Sequence, residues 1–251
     1  LPTLTAGSHT ATVRAFDLLG NYTDGSISIV IDTTAPHTFS PTLNTGSNTN
    51  NTSPIVSFTT TDTVGMGYYQ VKVDGGAYET QTSPFQLPLL SLGSHSISVR
   101  AYDAAGNYRD GTVLNITVDT IAPDSFTPTL NVVSPTINTT PTITFSTDDN
   151  IGVSYYRVKV DGGNFATKSS PNQLEPLSNG SHTITVRAYD AAGNYTEGSV
   201  NVTVDRTSPD PFTPTLDGTS PINTTTPTIN FEATDSLGID HYEVKIDNGS
   251  Y

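Results

Sequence analysis

The nine residues RAYDAAGNY occur twice, at Arg100–Tyr108 and Arg187–Tyr195, and a third version, RAFDLLGNY, runs from Arg14 to Tyr22. Such recurrence constrains a fold more than local propensity does, because every copy has to solve the same packing problem. Aligning Asn21, Asn107 and Asn194 gives a period of about 86–87 residues, the size of a small domain rather than of a solenoid turn. Other landmarks keep step. His9, His95 and His182 each follow Gly-Ser, and Asp32, Asp119 and Asp205 sit in VIDTTAP, TVDTIAP and TVDRTSP. TDTVGMGYYQVKVDGG, TDDNIGVSYYRVKVDGG and TDSLGIDHYEVKIDNG recur in the same register. On this period, residues 1–35 are the last strands of one repeat, 36–122 and 123–208 are complete repeats, and 209–251 are the first strands of another. The end pieces are complementary. Either the chain is a window cut from a longer array, or Thr207–Tyr251 of one copy completes Leu1–Asp32 of the next. Both readings give a head-to-tail contact, which generates an open filament rather than a ring.

Within a repeat the apolar residues alternate with period two, and no helical period appears. In YYRVKVDGG, Tyr156, Val158 and Val160 fall on one face, with Tyr155, Arg157 and Lys159 on the other. Ile184, Val186 and Ala188 alternate with Thr183, Thr185 and Arg187, and Val200, Val202 and Val204 form a further inward row. DGG and AAGN are turn signals between these runs. About seven short strands per repeat predict an all-β fold of tandem immunoglobulin-like β-sandwich repeats arranged as an elongated rod.

LxxGSHxIxVRAYDAAGN followed by VDTxAP, together with YYxVKVDGG, resembles the tandem bacterial immunoglobulin-like domains of large extracellular adhesins and surface fibres. The resemblance covers the whole chain. It implies an extracellular or cell-surface stalk or fibre, built from modules in series and lacking enzymatic activity. An adhesive or carbohydrate-binding module with surface glycans as partners is the alternative. The antibody pattern is not met: Cys and Trp are both absent, so the inward Tyr69, Tyr156 and Tyr242 take the place of the Trp that packs on the disulfide. Tyr68, Tyr155 and His241, one residue earlier, are the candidates for surface contacts.

A net charge of −14 argues against nucleic acid, whose phosphates attract Lys and Arg. No apolar run approaches membrane-spanning length. Phosphate-loop, HExxH and GxSxG motifs are all missing. His9, His95 and His182 open a strand just where many sandwiches place the Tyr of a tyrosine corner, and an imidazole can make the same bond back to loop backbone. About ten Asn residues lie in N-x-S/T sequons, including Asn115, Asn138, Asn201 and Asn223.

The recurring aspartates carry the strongest chemical signal. In a sandwich of this type the loops after strands B and F lie at one end, where the linker from the preceding repeat also arrives. Three acids therefore converge per junction: Asp32, Asp62 and Asp103 at the first, and Asp119, Asp148 with Asp149, and Asp190 at the second. The third junction retains Asp205 and Asp235. Hard carboxylate oxygens suit Ca²⁺, which takes 6–8 oxygen ligands, and interdomain Ca²⁺ is what the resemblance implies. The competing reading is that each Asp only caps its own turn.

Overall fold

The computed structural model describes residues 2–250, and strands are its regular elements. The chain divides into two compact units: the first is the chain up to Asp124 with Thr147–Tyr155 and Ala188–Thr196, and the second is Ser125–Ser146, Tyr156–Arg187 and the chain from Glu197 on.

The first unit opens with a hairpin, Gly7–Phe16 paired antiparallel to Tyr22–Ile31. A two-sheet sandwich follows. One sheet orders Thr42–Leu43, Ile55–Ser57 and Phe85–Gln86, all antiparallel. The other orders Asn48–Thr49, Leu114–Val118, Gly93–Asp103, Met66–Val73 and Glu79–Gln81, with Tyr108–Asp110 also pairing the long Gly93–Asp103 strand. The first two strands thus go to different sheets: Asn48–Thr49 pairs parallel to Leu114–Val118. Between the sheets lie Val56, Phe58, Val71, Leu87, Ile97 and Val99, with Phe39 and Tyr69 against them. Alternation in sequence is alternation of burial: Ile97, Val99 and Ala101 are fully buried, and the residues between them are not. Each buried aliphatic chain contributes about 1.5–3 kcal/mol relative to exposure.

The same plan recurs further along the chain. Thr129–Leu130, Thr142–Thr144 and Asn172–Gln173 form one sheet. The opposing sheet orders Ala166–Lys168, Val153–Val160, Gly180–Asp190 and Tyr195–Val204. Ile143, Phe145, Val158, Ile184, Val186 and Val202 are buried, with Phe126 and Tyr156 packed against them. Strands Thr215–Leu216 and Ile229–Asn230 begin the pattern again.

Candidate metal centre

Each aspartate of the junctions is held by its own loop, and the loops aim the carboxylates at one another. In the first cluster, Asp103 ends the long strand. Its Oδ1 accepts the backbone N–H groups of Ala105 (2.8 Å) and Asn107 (2.9 Å), and its Oδ2 accepts the Asn107 side-chain amide at 2.8 Å. That amide also donates to the Asp32 carbonyl at 3.2 Å, which ties the linker to this loop. Asp62 Oδ2 accepts the N–H groups of Val64 (2.8 Å) and Gly65 (3.3 Å). Asp32 Oδ1 accepts the Thr34 N–H at 3.0 Å and its hydroxyl at 2.7 Å. One carboxylate oxygen from each of Asp32, Asp62 and Asp103 lies within 4.8 Å of the others. Asp103 is 2% exposed. Burial alone would push its carboxyl up, but the Asn107 amide and the N–H groups of Asn107, Ala105 and Gly106 outweigh it and hold the group below the usual carboxylate range.

The second cluster repeats this with Asp119, Asp149 and Asp190, again within 4.8 Å. Asp190 accepts the N–H groups of Gly193 (2.7 Å) and Asn194 (2.9 Å), and the Asn194 amide at 2.6 Å. Asn194 also donates to the Asp119 carbonyl at 2.9 Å. Asp149 Oδ2 accepts Ile151 and Gly152 N–H groups, each at 2.9 Å. Asp148, the other acid of the pair expected from sequence, is exposed and stands outside the converging set. The reason is register: counted back from the turn glycine, Asp149 and not Asp148 corresponds to Asp62. Two amides that the sequence reading did not single out also attend this cluster. Asn150 donates to Asp119 Oδ1 at 3.3 Å, and Asn50 donates to Asn194 Oδ1 at 3.2 Å. Their neighbours in sequence give no pattern that distinguishes them from other loop asparagines.

At the third position Asp205 accepts the Thr207 N–H (2.8 Å), the Thr207 hydroxyl and the Ser236 hydroxyl (2.9 Å). The Thr207 hydroxyl, the Thr207 N–H and the Ser236 hydroxyl hold its carboxyl below the ordinary range. Asp235 caps Leu237 at 2.9 Å. Among the described residues these two are not joined by a third acid.

Most of the carboxylate oxygens are spoken for by these turns, as the capping reading requires. Two are not. Asp32 Oδ2 and Asp149 Oδ1, one in each complete cluster, are buried and have no hydrogen-bond partner. A buried charged oxygen without a partner is costly unless something positive meets it.

The histidines do not join the two clusters of converging aspartates. His95 Nε2 lies 2.9 Å from the Ser91 carbonyl, His182 Nε2 2.9 Å from that of Ser178, and His9 Nε2 2.8 Å from that of Thr5. This is the bond back to loop backbone expected from their position. Tyr68 and Tyr155 are exposed as expected, and each stacks on a neighbour, Tyr102 at 4.6 Å and Tyr189 at 4.8 Å between centroids. These rings turn faces toward each other.

Two packed sheets, mostly antiparallel, an aromatic in place of the disulfide-packing Trp, and acids gathered at the loops define an immunoglobulin-like sandwich repeat. Residues 124–206 match the model of the bacterial Ig-like domain family. No curated protein matches the chain. Among solved structures, the fibronectin(III)-like modules of Clostridium thermocellum CbhA are 20% identical, covering 65% of this chain and 93% of theirs, at a TM-score of 0.49. A tetra-tandem repeat from the extending region of a large adhesion protein is 22% identical over 92% of this chain and 71% of its own, at 0.34. A 1.5-MDa bacterial ice-binding adhesin is 18% identical over 80% and 74%, at 0.38.

Proposed function

We propose that the chain is a structural segment of an extracellular or cell-surface fibre or stalk, made of Ig-like repeats in series, with Ca²⁺ bound where one repeat passes into the next. The repeats are read as 36–122 and 123–208, flanked by parts of further repeats. The same reading makes it a non-catalytic spacer that meets further repeats, or copies of itself, head to tail. A module that occurs at a fixed period with the same acids each time serves something needed once per repeat.

The observation that carries the Ca²⁺ reading is the pair of buried, partnerless oxygens, Asp32 Oδ2 and Asp149 Oδ1, each in a cluster of three carboxylates. Carboxylates at this spacing repel by roughly 3 kcal/mol per pair at an effective dielectric of about 20. A dication removes that repulsion. Oxygens on opposite sides of Ca²⁺ stand about 4.8 Å apart when each bond is about 2.4 Å, which is compatible with the observed convergence. The residues that would hold the ion are Asp32, Asp62 and Asp103 in one site and Asp119, Asp149 and Asp190 in the other. By cross-linking the linker to two loops it would stiffen the chain.

Thermal melting tests this. The transition should rise by several degrees in millimolar Ca²⁺ and fall again with a chelator, and small-angle scattering should show a longer, stiffer particle with the ion. A transition and a scattering curve that ignore both additions contradict the proposal.

A further inference from the structure

We infer that His95 and His182 are imidazolium cations that latch the DGG turn of their repeat to the loop before the next long strand, and that this latch opens as the pH rises. His95 Nδ1 lies 2.8 Å from Asp74 Oδ2, and Nε2 lies 2.9 Å from the Ser91 carbonyl. A carbonyl only accepts, and an ionised carboxylate only accepts. A neutral ring has one N–H and satisfies one of them, whereas the cation satisfies both. His182 repeats the arrangement, with Nδ1 2.8 Å from Asp161 Oδ2 and Nε2 2.9 Å from the Ser178 carbonyl; the Ser178 hydroxyl also lies 3.4 Å from Nε2.

The aspartate is fixed in place. Asp74 has φ +51°, the left-handed region that Asp tolerates better than most residues, and Asp161 matches it at +51°. Asp74 Oδ1 accepts the Ser96 N–H at 2.8 Å, and its own N–H donates to the Ser96 carbonyl at 2.7 Å. The carboxylate is therefore aimed at the ring by backbone contacts on both sides. The imidazoles are 9% and 11% exposed at the side chain, so solvent has little access to replace a missing bond. The hollow beside His95 is lined by Ser47, Asn48, Ser94, Ser96, Asn115 and Thr117, none of which titrates, and Asp74 is the charged group in that lining. The hydrogen bond to Asp74, with the Ser91 carbonyl second, raises the His95 pKa above its ordinary 6.5, and Asp161 does the same for His182. The histidine in turn holds each aspartate below the usual carboxylate range.

The sign follows. A raised histidine pKa contributes stability that is fully present below the unfolded-state value and is lost as pH rises through the folded-state value. A depressed aspartate contributes stability present above its unfolded value and lost as pH falls through the folded one. The latch is closed between these limits and opens on the alkaline side first.

The test is ¹⁵N NMR of the histidine rings in the full 251-residue chain across pH. At pH values just above 6.5 both nitrogens of His95 and of His182 should still carry protons. Asp74→Asn should lower the His95 midpoint and leave that of His182 unchanged. A neutral tautomer of either ring with a midpoint at or below 6.5 overturns the inference, as does an Asp74→Asn variant whose His95 midpoint does not move. If that variant does not fold, the titration of the unaltered chain decides alone.

Discussion

Adjacent residues in this chain have opposite structural fates, and Tyr68 and Tyr69 show it most directly. The Tyr69 ring packs on Phe58 at 5.0 Å and Phe39 at 6.3 Å, while its hydroxyl accepts the Thr60 N–H at 2.9 Å and donates to the Thr60 carbonyl at 3.3 Å. Tyr68 is 43% exposed. Tyr69→Ala should cost about 3–5 kcal/mol of unfolding free energy, as large aromatic truncations in cores do, and Tyr68→Ala under about 1 kcal/mol. Urea titration of the two variants checks this; equal losses would contradict the register. That register was legible in the sequence, because period-two alternation leaves only two choices and one of them exposes every valine. The partner of His95 was not legible. Asp74 lies 21 residues away in a turn that reads simply as DGG, and nothing in that signal says which residue takes the left-handed conformation. The structure gives it to Asp74 rather than to either glycine after it.

At the scale of elements, the long strands were readable and the short ones less so. Gly93–Asp103 and Gly180–Asp190 carry several alternating apolar residues each, whereas Thr42–Leu43 and Phe85–Gln86 are two residues long and offer no period to read. Packing against the other sheet, not sequence pattern, fixes those. One such packing contact turns on a glycine. A Cβ on Gly198 would lie 2.5 Å from the Phe126 carbonyl oxygen, and one on Gly111 would lie 2.9 Å from the Phe39 ring. The segment that leads into the first strand passes these glycines so closely that no side chain fits between. Gly198→Ala should therefore destabilise its repeat by about 1–3 kcal/mol through overpacking. Gly162→Ala, in open space in the DGG turn, is the control. Thermal melts of the two variants would distinguish them, and equal midpoints would refute the close approach.

For the whole molecule the governing quantity is charge. A chain of net charge −14 that also gathers six carboxylates into two clusters works against itself unless cations are present. The sequence showed that linker, B–C loop and F–G loop acids would share one end of a sandwich, because topology alone places them there. It did not separate Asp148 from Asp149, since the choice depends on a one-residue register within the loop. Nor could it reveal that one buried oxygen per cluster is left without a partner, which depends on how each turn spends its N–H groups. Calorimetric titration of the apo chain with Ca²⁺ tests the central claim most directly. The account predicts two tight sites per chain, one lost in Asp62→Asn and the other in Asp149→Asn, with both variants still folded. Absence of binding heat, or a stoichiometry that neither substitution changes, would contradict it.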